Sequence, residues 1–220
     1  MKHILLLFSC ALLLSQCAPA RYVKPLNKDV QVATLTFGGP VIQFAGAAIP
    51  IPFTTAGYAR GFSDKVTGYA NLHITSLMFN NLQFDLGTTM KIYEKENKYG
   101  FSWSPALQVA NSFKVGKSFR LWPSSDLNFY YHPKSKKSYL YSGLNAWFDL
   151  TGTKAHQEPQ TTHMIPNLHG GYVVMKEKWQ HQFQLSYYGI GIPNLPNVAS
   201  YVGISHKGAF GFHYALIRTF

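Results

Sequence analysis

Histidine, serine and carboxylate pairs are where a chain of this kind would carry chemistry. Ser205 and His206 are adjacent in a turn, His213 could meet Ser186 across neighbouring strands, and His73 or His132 could meet Asp85 or Asp126. A serine beside a histidine that a carboxylate orients is the arrangement for nucleophilic hydrolysis. None of these residues falls in a diagnostic spacing, and histidines scattered over many segments also pair by chance as hydrogen-bonding groups of a polar interior. His156, Glu158 and His163 share one loop and could hold zinc, but lack the clustered spacing of a dedicated site. No glycine-rich phosphate loop follows a strand. Gly38-Gly39 and Gly170-Gly171 sit in strand context, where a turn or bulge explains them. The sequence therefore assigns no catalytic residue, no metal ligand and no cofactor.

Cys17 has a different chemistry. Residues 1–17 read MKHILLLFSCALLLSQC, a short basic start followed by an apolar run from Ile4 to Leu14. That run is too short for a spanning helix, which needs about 20 residues, and has the form of a secretory signal peptide. Leu14-Ser15-Gln16-Cys17 resembles the lipobox of bacterial lipoproteins, although Gln16 stands where that family has Gly or Ala. The alternative is cleavage after Ala18 or Ala20. Cys10 would leave with residues 1–16, so Cys17 would be the only remaining thiol and no internal disulfide could form. The resemblance implies an acyl or diacylglycerol group on Cys17, each buried methylene adding about 0.8 kcal/mol of membrane anchoring. No acidic residue follows the cysteine in APARYVKPLNK, so the anchor is expected in the periplasm-facing leaflet. Residues 17–29 are expected to tether it to a folded unit over 30–220.

The elements positioning these groups are strands. Charged residues are 13% of the chain and aromatics 15%, against roughly 25% charged in ordinary soluble domains. The net charge of +11 is spread over turns rather than gathered in one patch. This speaks against a nucleic-acid partner and for contact with lipid headgroups.

In WQHQFQLSYY (179–188), Trp179, His181, Phe183, Leu185 and Tyr187 alternate with Gln180, Gln182, Gln184, Ser186 and Tyr188. Period-two alternation puts the two sets on opposite faces, and three glutamines in register suit a wet, hydrogen-bonded interior. The same split sets Gln83, Asp85 and Lys91 against Leu82, Phe84 and Leu86. It sets Asp126 and Asn128 against Leu127 and Phe129, and Asn145 against Leu144. His213 falls among the small and polar positions of GAFGFHYALIRTF. Tyr58, Tyr69, Tyr130, Tyr139 and Tyr141 are expected to fill the interior.

Lysine-bearing breaks at 63–65, 94–97, 133–137, 176–178 and 206–208 predict five hairpins and ten strands from about Phe53 onward. A sixth hairpin turning at Gly38-Gly39-Pro40 would make twelve. Strands of about ten residues, tilted near 45°, cross roughly the apolar height of a membrane barrel. The expected fold is all-β: a transmembrane antiparallel up-and-down barrel of 10 or 12 strands.

The last strand resembles the terminal strand of bacterial outer-membrane proteins, with Tyr214, Leu216 and Phe220 alternating to a final aromatic. Arg218 departs from it. The resemblance implies recognition by the barrel-assembly machinery and a periplasmic C-terminus. Counted back from there, all five lysine turns would face outward, and 111–118, 151–163 and 191–197 would face the periplasm. The lumen inferred from these residues has few bases, unlike the basic tracks of pores for acidic sugars. The expected function is a structural or accessory outer-membrane lipoprotein that docks protein partners of a larger complex. A narrow channel for small solutes is the alternative, and a lipid-modifying enzyme is a further one.

Overall fold

The computed structural model describes residues 22–114, 119–133, 137–153, 159–194 and 200–220. Its strands are β1 (Gln31–Phe44), β2 (Ala47–Pro50), β3 (Thr54–Ser63), β4 (Val66–His73), β5 (Asn81–Lys95) and β6 (Tyr99–Ser112). They continue with β7 (Arg120–Tyr131), β8 (Ser138–Phe148), β9 (Met164–Lys176), β10 (Trp179–Pro193) and β11 (Lys207–Thr219). One short helix, α1 (Ile74–Met78), joins β4 to β5. Each strand from β3 onward pairs antiparallel with the next, β1 pairs with β3, and β11 returns to β1. The result is a closed barrel of ten strands, with β2 as an extra strand paired to the end of β1. Closure runs from Val32 opposite Thr219 to Pro40 opposite Gly211.

Alternation decides which side chain goes where. On β10, Gln182, Gln184 and Ser186 are buried while Trp179, Phe183 and Leu185 are exposed. On β5, Gln83, Asp85 and Thr89 are buried while Leu86 and Ile92 are exposed. The barrel is thus polar within and apolar without, the reverse of a soluble sheet and the pattern of a barrel set in hydrocarbon. No helix among the described residues is long and apolar enough to cross a membrane, and the strands make the crossing.

The ten strands differ from the expected set. The chain does not turn at Gly38-Gly39-Pro40. β1 runs on through them, with Gly38 at φ 118°, and turns at Ala45-Gly46, where both φ values are positive. Gly38 gives the strand a local irregularity, since it can adopt a φ that a side chain disfavours. Lys207 and Gly208 open β11 just after a tight turn at Ser205-His206, closed by Ile204 opposite Lys207, but the residues before that turn form no barrel strand and belong to the connection between β10 and β11.

These two differences reverse the arrangement expected from the sequence. The turns β3–β4, β5–β6, β7–β8 and β9–β10 lie at the same end as the C-terminus, because Gln31 lies opposite Arg60 and Val32 opposite Thr219. The connections β1–β3, β4–β5, β6–β7, β8–β9 and β10–β11 all leave from and return to the other end. Short turns beside the C-terminus and long connections opposite are the ordinary plan of outer-membrane barrels. The two ends are called here the turn end and the loop end.

Large interior rings are accommodated by glycines on the neighbouring strand. Gly171 lies opposite Tyr141, and a Cβ there would stand 2.1 Å from the Phe183 carbonyl oxygen and 2.6 Å from the ring's Cζ. Gly171→Val should therefore cost about 1–3 kcal/mol through overpacking, read as a lower urea midpoint for the folded band in heat-modifiability gels. An unchanged midpoint would mean that both the Tyr141 ring and the β10 backbone at Phe183 give way to the added side chain.

Candidate functional site

The lumen is lined by hydrogen-bonded polar side chains, most of those described being buried. Gln182 Nε2 donates to the Tyr141 hydroxyl at 2.9 Å, which donates to Gln184 Oε1 at 3.0 Å, and Gln184 Nε2 reaches Ser186 Oγ at 2.9 Å. His169 Nε2 bonds Asn128 Oδ1 at 2.8 Å, and Asn167 Nδ2 donates to Asn145 Oδ1 at 2.6 Å. Toward the loop end, Trp122 and Trp147 pack with ring centroids 5.4 Å apart. Their indole N–H groups donate to Asp149 and Gln108 respectively. Tyr130, Tyr139 and Tyr141 cluster with Val173 nearer the turn end.

Gln83, Asp85, Gln182, Gln184 and His213 are buried in this interior, and Asp126, Asn145 and Gln180 are half-buried on the same face. Tyr69 joins the interior tyrosines, but Tyr58 does not. It is 46% exposed on the outer face, where its hydroxyl donates to Gln31 Oε1 at 2.7 Å. Ten strands enclose a space only slightly wider than the eight-stranded barrels that side chains fill.

A feature not anticipated from the sequence adds to this interior. Residues 22–29, the latter part of the expected tether, enter the turn-end mouth as a strap. Tyr22 and Val23 are 5% and 1% exposed. The Tyr22 hydroxyl bonds Thr34 Oγ1 at 2.7 Å, Thr89 Oγ1 donates to the Tyr22 carbonyl at 2.9 Å, and Ser102 Oγ donates to the Val23 carbonyl. The Leu26 amide donates to Thr67 Oγ1 at 2.7 Å. Lys24 Nζ lies 2.5 Å from Glu94, whose other oxygen is held by Lys91, also at 2.5 Å. YVKPL carries Tyr22, Val23 and Leu26 around Lys24 and Pro25, and nothing local marks them for burial: the strands beneath offer Thr67, Thr89 and Ser102 to its backbone and Thr34 to the Tyr22 hydroxyl.

Of the candidate catalytic pairs, one is assembled. His73 Nε2 lies 3.0 Å from both oxygens of Asp85, both residues buried. Ser76, in α1 just beyond, donates to Gln83 at 2.8 Å, so the pair is incorporated into the interior network. His213 meets the Tyr188 hydroxyl rather than Ser186, and His132 Nδ1 bonds the Ser138 carbonyl at 3.2 Å. Ser205 and His206 form an exposed turn. His163 bonds the Asp149 carbonyl at 2.8 Å, while His156 and Glu158 lie outside the described residues, as does Cys17. Among the described residues no three His, Cys, Asp or Glu side chains gather as a metal site.

The two rims differ. At the loop end, β1 and β2 extend past the last β1–β11 pair as an apolar hairpin, with Phe44 and Ile49 exposed. Its β1 edge is braced by Gln43 to Ser200 and Val202 to Val41 backbone bonds, and among the described residues no strand covers the β2 edge. At the turn end, Trp179, Tyr131, Tyr93 and Phe220 form an exposed aromatic fringe. Tyr214 is half-buried, bonded to His181 at 2.8 Å and packed on Phe183, and Leu216 follows on the same outer face.

No family model matches the chain, and no curated protein matches it significantly. Solved structures do. An outer membrane channel from Pseudomonas putida F1 superposes with a TM-score of 0.52 at 11% identity, over 92% of this chain and 99% of that one. The translocator domain of an autotransporter from Neisseria meningitidis aligns at 12% identity over 89% and 90% of the two chains, with a TM-score of 0.46. The chain has the fold of bacterial outer-membrane β-barrel proteins.

Proposed function

We propose that this chain is a closed bacterial outer-membrane barrel that works from its loop end, as a structural or accessory subunit docking a protein partner of a larger outer-membrane complex. The observation that supports this reading is the burial of the interior polar side chains in mutual hydrogen bonds, which favours the outside as the surface available for work. The β1–β2 hairpin is the most distinctive part of that surface. No charged residue occurs between Asp29 and Arg60, and the hairpin stands beyond the rim with an uncovered strand edge, which suits strand addition by a partner. In the class's usual orientation the turn end and C-terminus face the periplasm. The C-terminal strand is there offered to the barrel-assembly machinery, and a lipid on Cys17 anchors the chain in the adjacent leaflet. A photo-crosslinker in place of Phe44, activated in native membranes, should trap one discrete heavier species. Recovery of the chain alone would remove the docking role.

The strap supports a second reading, a narrow channel closed by its own N-terminal segment. The similar Pseudomonas structure is a channel, and the interior beneath the strap is polar. In planar bilayers this reading expects silence from the intact chain and steady current once Tyr22 and Val23 are truncated. Silence from both folded proteins rejects it.

A further inference from the structure

Exposed positive charge is concentrated at the turn end. Lys65, Lys95, Lys98, Lys137, Lys176 and Lys178 stand at its four turns, whereas the loop end has Lys114, Arg120 and Lys207 among the described residues. Part of the acidic charge there is already engaged, Glu94 with Lys24 and Lys91 and Asp29 with Arg60.

On the outer face of this end Arg218 has an unusual setting. It lies opposite Trp179 in the β10–β11 register, and Trp179 lies opposite Lys176 in the β9–β10 register. The Lys178 carbonyl accepts the Thr219 amide at 2.8 Å, holding that turn against the end of β11. The guanidinium carbon is 5.4 Å from the Trp179 ring centroid and 5.8 Å from that of Phe220. Two aromatic faces hold a planar cation in place without neutralising it, and no carboxylate among the described residues pairs with it. Its donors therefore remain available to an oxyanion, which a guanidinium can grip with two parallel bonds. Glu177 and the Phe220 carboxylate are the nearest acids along the chain, against three cations.

The depth of this group selects the anion. Phe212, Tyr214 and Leu216 precede Arg218 on the lipid-facing side of β11, and the strand ends one residue after it, so it sits where the apolar band meets the headgroups. An anion at that level, with acyl chains running back along Leu216 and Phe183, is a phospholipid phosphate. We infer that Arg218, steadied by Trp179 and Phe220 and assisted by Lys176 and Lys178, binds the phosphate of an anionic glycerophospholipid at the turn-end rim. This rests on the barrel's lying in a membrane, which heat-modifiable migration of each sample checks separately.

Native mass spectrometry of the folded full chain, with phosphatidylglycerol or phosphatidylcholine added at equal concentration, tests the site. Phosphatidylglycerol adducts should exceed phosphatidylcholine adducts several-fold, and Arg218→Gln should weaken the former about fivefold, the usual effect of one cation at an anionic surface. Excess inorganic phosphate should leave the adduct in place, because the tails contribute to binding. Equal binding of the two lipids, displacement by phosphate, or undiminished binding by Arg218→Gln would each overturn the inference. If Arg218→Gln does not fold, the Lys176→Gln, Lys178→Gln double variant at exposed turn positions takes its place. Weakened phosphatidylglycerol binding by that variant supports the site, and undiminished binding overturns it.

Discussion

Truncating Tyr22 and Val23 together to alanine should lower the unfolding free energy of the barrel by roughly 4 kcal/mol. Two buried side chains of this size contribute about 1.5–3 kcal/mol each over full exposure, and alanine retains part of that. Loss of the Tyr22 hydroxyl bond to Thr34 adds about 1 kcal/mol. The backbone bonds from Thr89 and Ser102 survive only if the strap stays seated without its two anchors. Urea unfolding in lipid vesicles, followed by tryptophan emission, would measure the loss. A change below about 1 kcal/mol would mean that the strap lies on the mouth rather than holding it. Susceptibility of the Lys24–Pro25 region to added protease should rise in parallel, since both describe the same release.

The second large effect belongs to the outer face. Leu185, 67% exposed on β10, lies near mid-height, with Phe183 and Tyr187 on either side of it along the same face. Leu185→Arg should cost about 2–4 kcal/mol, the penalty for a basic residue at the bilayer midplane, whereas Leu185→Phe should be close to neutral. Its neighbour Gln184, 3% exposed, should show the opposite tolerance. Gln184→Leu removes the acceptor of the Tyr141 hydroxyl and the donor to Ser186 Oγ, for about 1–3 kcal/mol. The two positions are informative together because the same barrel in water would tolerate Leu185→Arg, an exposed arginine being harmless there, while still losing the interior bonds of Gln184. If Leu185→Arg folds as well in vesicles as the parent, the membrane assignment of this face is wrong.

The faces of the strands are legible in the sequence because alternation is a local property, repeated over enough residues to average out exceptions. Gln180, Gln182 and Gln184 alone separate inside from outside on β10. Tyr58 is expected inside and lies outside because β3 reads TTAGYARGFS, in which small residues occupy both faces and no contrast remains. The relation of the two ends is harder to read, because it depends on the parity of the strand count. Taking 206–208 as a hairpin between two barrel strands and Gly38-Gly39-Pro40 as a turn keeps the total at ten or twelve while placing the long connections and the other four lysine turns at the wrong ends. Glycine and proline mark bends within a strand as readily as turns between strands, and only the partner strand tells them apart.

The strap cannot be placed from composition at all. YVKPLNK reads as polar linker, and its burial follows from groups far away in the chain. The His73–Asp85 contact is one of several combinations that residue types allow, and the register of β4 against β5, with Asn71 opposite Asp85, singles it out.

The seam between β1 and β11 carries a kinetic consequence. Every other neighbouring pair in the barrel is a local connection, but the pairing of Val32 with Thr219 joins opposite ends of the chain. Loop-closure entropy rises only with the logarithm of loop length, yet contacts of such long sequence separation are slow to form. The last strand must emerge before the first can be sealed, so the sheet passes through an open stage with two unsatisfied edges, the feature most prone to misassociation. The strap's hydrogen bonds to side chains of β1, β4, β5 and β6 need no part of β11, so it can seat on the growing sheet before the seam closes. Folding that proceeds in this order would show strap protection in hydrogen exchange ahead of protection at Thr34 to Phe37, and the sealing of the cylinder as its final, slowest phase.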